Sequence, residues 1–432
     1  MIFEILTTSL MGGIALKAFT KKNGLTTNDS GKIQRIISLS GLNVKDGKDT
    51  LTTQLVRKKA YEWGMEYKYR IPLGRSFDDY LSKQRVLEDG LNNRRQKITL
   101  NDLKTLQLDS NIIDNIKTMW NNKLTEKKDL ELSFDGLLTL RVYDEPLPTY
   151  VAYQPGAEWA VPVGVTRAKN AFKSHDFEKI PHLVLGGATR YGKSNFINSL
   201  ITSLIQSKPD YVKLFLIDLK GGVELCDYEN VKQTVSIAYE PEEALVTLQT
   251  AYAQMRAIQS RLRMLGKKNV QEAGIKERYF LIIDEVGELN PLEAVGKDER
   301  KLKEECQTLM SQISRLGAGL GFRQILATQY PTGDVIPRQC KQNSDAKISF
   351  RVQSATASRV VLDETGAENL PQIKGRAIYQ TADQREILQT PLITAEIIQK
   401  TIAPYIKKKE MRFDKETVEQ PRRIDAVTFE KI

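Results

Sequence analysis

The chain has 432 residues, 41% of them hydrophobic and 27% charged, and a formal net charge of +10. This composition excludes fibrous and disordered chains and leaves a globular protein of about two domains. The positive balance points to a polyanionic partner, either nucleic acid or an anionic membrane surface. Three cysteines, Cys226, Cys306 and Cys340, form no CxxC pair, which argues against a disulfide or zinc framework and for a reducing compartment.

In chain order, the first element is the apolar stretch of residues 1–22, "MIFEILTTSLMGGIALKAFTKK", interrupted by Glu4 and Lys17 and closed by Lys21 and Lys22. It barely reaches the ~20 residues of a spanning helix. Without a basic start or an Ala-x-Ala site it does not read as a signal peptide. Two readings stay open: a helix in or on a membrane, or an amphipathic helix docked on the protein. Residues 30–150 are rich in charge, with strand-like "EYKYRIPL" and "GLLTLRVYD" around a polar helical region from Ser76 to about Lys128, and read as an α+β accessory domain. "PLPTYVAYQPGAEWAVPVG", with four prolines, reads as the connection onward.

From residue 163 to 405 the pattern changes to short apolar runs, "HLVLGG", "KLFLIDL", "YFLIIDE", "QILATQ", "AKISFRV" and "GRAIYQ", separated by helical stretches. Apolar strands alternating with helices predict an α/β domain with a mostly parallel sheet covered on both faces. Residues 406–432 are charged and aperiodic and read as a solvated tail.

"GGATRYGKS" follows the first of these strands and precedes "SNFINSLITSLIQS", whose apolar residues recur at helical spacing. Strand, G-x-x-x-x-G-K-S, helix is the full P-loop arrangement. Its residues Gly187, Ala188, Thr189, Arg190, Tyr191, Gly192, Lys193, Ser194 and Asn195 are candidates to bind ATP. Backbone N–H groups would cradle the β-phosphate, Lys193 would reach the β and γ oxygens, and Ser194 would ligate Mg2+. "YFLIIDEVGEL" ends a strand with Asp284, a second candidate for magnesium, and Glu285, placed to orient or deprotonate water. Thr328 and Gln329 end a further strand, where Gln329 can touch the γ-phosphate. No N-K-x-D motif specifies GTP. The residues describe a RecA-like P-loop ATPase. His182 reads as a packing residue, and Asp218 with Lys220 either terminates a strand or opens a pore loop at "KGG".

Four ordered stretches carry a resemblance to a known family: "IPHLVLGGATRYGKSNFINSLITSLI", "FLIDLKGGVEL" with Asp218, Lys220 and Glu224, "ILATQYPTGDVIP", and "ASRVVLDETGAENLP". They resemble the corresponding motifs of the FtsK/SpoIIIE DNA translocases over roughly residues 180–400. "RIPLGRSFDDYL" and "LTLRVYDEPLP" are similar to the shorter members carried by conjugative elements, plasmids and phages of Gram-positive bacteria. The resemblance implies a homo-hexameric ring that pumps double-stranded DNA with ATP, in the bacterial cytoplasm or held at the inner face of the cell membrane by residues 1–22. Relaxase or transfer-channel proteins are then the implied partners. Little chain follows the motor, so no winged-helix reader is expected, and DNA binding is expected without strong sequence preference.

Three positions depart from the family pattern. Leu219 stands for its proline and Tyr330 for an arginine. Where the family carries an arginine before the glycine of "GFRQILATQ" this chain has Ala318, so Arg315, one helical turn earlier, is the first choice for an arginine acting in the neighbouring subunit's site, with Arg351 and Arg359 as alternates. Two other functions stay open on sequence: a coupling adaptor that recruits a DNA–relaxase complex to a membrane channel with ATP as a switch, and a P-loop ATPase that acts on protein.

Overall fold

The computed structural model describes residues 29–92, 128–167, 172–329, 333 and 335–407. The apolar stretch 1–22, most of the helical region expected up to Lys128, nearly all of the tail, and Tyr330 lie outside the described residues. Among the described residues no helix is long and apolar enough to cross a membrane.

Helix α1 (Ser30–Leu39) is followed by a short hairpin, β1 (Val44–Asp46) and β2 (Asp49–Leu51), and by β3 (Gln54–Tyr61) and β4 (Gly64–Arg70). Helices α2 (Phe77–Ser82) and α3 (Gln84–Asn92) precede β5 (Asp129–Asp135) and β6 (Leu137–Tyr143). Strands β3-β4-β6-β5 form an antiparallel sheet. Met65, Tyr67 and Tyr69 alternate along β4 with polar residues, and this period of two turns one face onto a core that includes Ile33, Ile37, Leu87 and Leu140.

The second and larger unit contains β7 (Ala160–Thr166), β8 (Phe172–Asp176), β9 (Leu183–Gly186), α4 (Lys193–Ser207), β10 (Val212–Asp218), β11 (Thr234–Ala238), α5 (Pro241–Met264), β12 (Arg278–Asp284) and α6 (Lys297–Leu316). It continues through β13 (Phe322–Thr328), α7 (Arg338–Gln342), β14 (Ala346–Phe350), α8 (Ala355–Leu362), β15 (Arg376–Gln380), β16 (Arg385–Gln389) and α9 (Ala395–Ile402). Ten strands make one sheet in the order β11-β10-β12-β13-β9-β14-β15-β16-β7-β8. From β11 to β14 every pairing is parallel, as expected from the alternating apolar runs. Beyond β14 every pairing is antiparallel. Connection length accounts for two of these pairings: a short turn at residues 381–384 joins β15 to β16 and a short connection joins β7 to β8, whereas a parallel return needs a crossover of a dozen residues or more.

Residues of the central strands alternate between two cores. Phe215, Ile217, Leu281, Ile283 and Leu326 pack against α5 and α6, while Leu214, Leu216, Phe280, Ile282 and Ile325 pack against α4. Helix α5 starts with Pro241 and two glutamates and ends with Arg261 and Arg263, a charge order that complements its dipole.

The entry edge of this sheet is fixed by ion pairs. The Glu178 carboxylate accepts from Arg278 Nε (2.7 Å) and Nη2 (2.9 Å) and from Arg323 Nη2 (2.8 Å), and both arginines are buried. Partial burial raises the Glu178 pKa, but the bonds and charges of Arg278 and Arg323 outweigh it and hold it down to about 2, from 4.5. A depressed carboxylate stabilises the fold above its unfolded pKa and loses that contribution as pH falls through the folded value. Glu178→Gln is therefore expected to cost about 3–5 kcal/mol near neutral pH, because two buried guanidinium groups lose their counter-charge. In urea unfolding, the gap between wild type and variant should close as pH falls from 4.5 towards 2; a gap independent of pH would show that the charge is not what matters.

Candidate nucleotide site at the carboxyl edge of the sheet

Five adjacent strands end at one edge, and each delivers a polar group there. The loop 187–192 follows β9, Asp218 ends β10, Asp284 and Glu285 end β12, Thr328 and Gln329 end β13, and Arg351 follows β14. Parallel strands ending together in this way open a crevice at their carboxyl ends.

The P-loop is held from outside as well as by its own glycines. Ala188 N–H donates to the Arg351 carbonyl (2.9 Å), and Gly375 N–H donates to the Tyr191 carbonyl (2.9 Å). A Cβ on Gly187 would lie 2.6 Å from Phe350 Cβ, so the strand that follows β9 in the sheet forbids a side chain there. Gly192 has φ +114 and starts α4, with the backbone of Gly375 3.1 Å from where its Cβ would be. Gly187→Ala should cost about 1–3 kcal/mol of stability through this overlap, read as a lower denaturation midpoint; an unchanged midpoint would mean that Phe350 yields freely.

Lys193, buried in the first turn of α4, forms an ion pair with Asp284 Oδ1. Asp284 is fully buried, and its Oδ2 has no hydrogen-bond partner among the described residues. Glu285 adopts φ +68, a conformation that is strained for a residue with a side chain. Its carboxylate accepts from Thr328 Oγ1 (2.9 Å) and from Gln329 N–H (2.9 and 3.2 Å). Two donors on about four acceptor sites leave room for a water. Burial raises the Glu285 pKa, more than Lys193 and the bonds from Thr328 and Gln329 lower it.

The structure thus brings Lys193, Asp284, Glu285 and Gln329 together. Other sequence candidates are placed differently. Ser194 is half-buried in the first turn of α4, while Thr189 and Arg190 are exposed in the loop. The Ala188 N–H is already spent on Arg351. The Asn195 side chain bonds the backbone of Ile393 in both directions (2.8 and 3.3 Å), which leaves its main chain as the part able to meet a ligand. Arg315 is exposed in the last turn of α6, at the end of the sheet where β13 begins and away from Gln329. Arg351 Nη1 is bonded to the Leu370 carbonyl, and Arg359 is exposed. His182 is a packing residue: it is buried, its Nδ1 accepts from Gln324 N–H (3.0 Å), and burial lowers its pKa to about 4.

Sequence reading missed two features. The clamp by Phe350, Arg351 and Gly375 joins segments more than 150 residues from the loop, and no local pattern marks it. Asp218 and Lys220 were ambiguous in sequence. Asp218 proves to be fully buried and accepts from the N–H groups of Lys220, Glu224 and Leu225 (3.2, 2.9 and 3.1 Å), so it shapes the loop after β10. Lys220 reaches Gln329.

Residues 157–316, from just before β7 through α6, match the family model described as FtsK/SpoIIIE family. The chain carries an FtsK/SpoIIIE-family domain. That domain contains Lys193, Ser194, Asp284 and Glu285, and ends before β13. The DNA translocase FtsK of Treponema pallidum (strain Nichols) is 35% identical over 222 residues, which are 48% of this chain and 26% of that protein. That of Chlorobaculum tepidum is 34% identical over 235 residues, 51% of this chain and 28% of that protein. The chain therefore spans only about a quarter of the length of these FtsK/SpoIIIE-family relatives. Among solved structures, the pCW3 conjugation coupling protein TcpA, in a monomer form with ATPγS, has a similar fold, with a TM-score of 0.58 and 20% identity over 87% of this chain and 98% of that one. The cytoplasmic domain of the Thermomonospora curvata type VII secretion ATPase EccC aligns with a TM-score of 0.50 and 22% identity over 61% of this chain and 33% of that one.

Proposed function

We propose that the chain is an ATP-hydrolysing translocase of double-stranded DNA, working as a homo-hexamer for conjugative transfer or maintenance of a mobile element. The observation that carries this reading is the meeting of Lys193, Asp284, Glu285 and Gln329 at the ends of adjacent strands, in a chain with an FtsK/SpoIIIE-family domain. In this reading residues 163–405 are the motor, 30–150 an accessory domain, 1–22 a membrane attachment at the cytoplasmic face, and 406–432 a solvated tail.

The residues present fit magnesium bound with a nucleotide. Asp284 Oδ2 is a buried carboxylate oxygen without a partner among the described residues, and Ser194 lies in the first turn of the adjacent helix. Among the described residues no group of three or more His, Cys, Asp or Glu could hold a metal. That suits an ion carried mainly by phosphate oxygens and water, with one or two protein groups. Bound there, the ion neutralises charge on the phosphates.

The chain's own residues supply the rest. Free N–H groups of the loop and the start of α4 hold the β-phosphate. Lys193 exchanges Asp284 for phosphate oxygens. Glu285 takes a proton from the attacking water, and Gln329 donates to the γ-phosphate. An arginine from the neighbouring subunit, Arg315 before Arg351 and Arg359, completes the charge.

Steady-state ATP hydrolysis with and without linear duplex DNA tests this reading. Strong stimulation that falls steeply with salt is expected, since phosphate contacts release counterions. DNA binding without stimulation would favour the coupling adaptor, and neither would favour an ATPase acting on protein.

A further inference from the structure

Gln329 is nearly buried, and two side chains converge on its amide oxygen. Thr189 Oγ1 donates to Oε1 at 3.0 Å and Lys220 Nζ donates to the same atom at 2.7 Å. A lysine ammonium is donor-only, so its position fixes which end of the carboxamide is oxygen. The amide Nε2 is consequently the end left over, and it makes no hydrogen bond among the described residues. The main chain of Gln329 is held separately, by the Glu285 carboxylate.

Lys220 is itself positioned with unusual economy. It lies two residues after β10, in a loop whose N–H groups at Lys220, Glu224 and Leu225 all donate to the buried Asp218. Gly221 and Gly222 follow with φ +77 and +66, and a Cβ on Gly222 would lie 2.6 Å from the Tyr239 ring. The loop therefore turns back sharply, which aims the Lys220 side chain across β12 to the end of β13.

We infer that Lys220 is a positioning residue that orients the Gln329 carboxamide, so that its NH2 faces the γ-phosphate and the site distinguishes a nucleoside triphosphate from a diphosphate. The inference rests on the nucleotide site proposed above. Without the ammonium, Thr189 alone contacts Oε1, and a hydroxyl can donate or accept. It tolerates either orientation of the amide. An inverted amide turns its oxygen toward the γ-phosphate, which replaces a charge-assisted bond with repulsion between oxygens.

The test compares dissociation constants of ATPγS and ADP, each with Mg2+, in the full chain. In Lys220→Met the preference for ATPγS over ADP should fall about tenfold, the loss of one hydrogen bond to a charged group. ADP affinity and the denaturation midpoint should stay as in wild type, and Lys220→Arg, also donor-only, should restore most of the preference. An unchanged preference in Lys220→Met would overturn the inference. So would an equal loss of affinity for both nucleotides or a lowered midpoint, since either indicates a merely structural lysine. Wild-type protein that binds neither nucleotide would instead remove the nucleotide-site reading beneath it, a failure visible before any variant is made.

Discussion

Lys193→Ala is expected to lower ATP hydrolysis by roughly 10³-fold, because the variant lacks the buried P-loop ammonium that the proposed site aims at the β and γ oxygens. It should also destabilise the fold. Lys193 and Asp284 are an ion pair at 3% and 0% side-chain exposure, and removing one partner of such a pair costs about 3–5 kcal/mol through the charge left behind. The two effects separate in the double variant Lys193→Met with Asp284→Asn. Neutralising both members should recover most of the denaturation midpoint while hydrolysis stays lost. Near-normal hydrolysis by Lys193→Ala would overturn the assignment, and a double variant as unstable as the single one would show that the ion pair is not the source of the stability loss.

Glu285→Gln should bind ATP and fail to turn it over. The amide keeps the shape of the carboxylate, and its oxygen can still accept from Thr328 or Gln329, yet it cannot take a proton from water, a loss of about 10²–10⁴-fold. Burial holds the Glu285 pKa above the ordinary range, so the acid limb of the wild-type rate profile should fall at a higher pH than an exposed glutamate would give. The sign for stability is the reverse of that for Glu178. A carboxyl whose folded pKa is raised is easiest to bury protonated, so its contribution is full below the unfolded pKa and is lost as pH rises through the folded one. Loss of nucleotide affinity in Glu285→Gln, measured directly, would contradict a water-activating role.

What sequence could disclose about this site follows the range of the interactions. The P-loop is local: its glycines, lysine and following helix sit in consecutive residues, and the spacing alone predicts the turn that Gly192 makes. The alternating apolar strands likewise predict the parallel part of the sheet, since each strand must feed two cores. The antiparallel extension from β15 to β8 was not legible, because strand direction depends on connection geometry and apolar runs look alike in either direction. Lys220 was legible as a residue but not as a contact. Its bond to Gln329 spans 109 positions, and depends on Asp218 gathering three N–H groups into one turn. Asn195 shows the converse: a motif position suggests a ligand contact, and the folded chain spends the side chain on Ile393.

The central claim is movement along duplex DNA driven by ATP hydrolysis, and displacement of a third strand from a linear duplex measures it directly. With ATP, the protein should strip a triplex-forming oligonucleotide placed at a distance from the duplex end. ATPγS, ADP and the Glu285→Gln variant should leave it bound. Robust DNA-stimulated hydrolysis without displacement would contradict translocation.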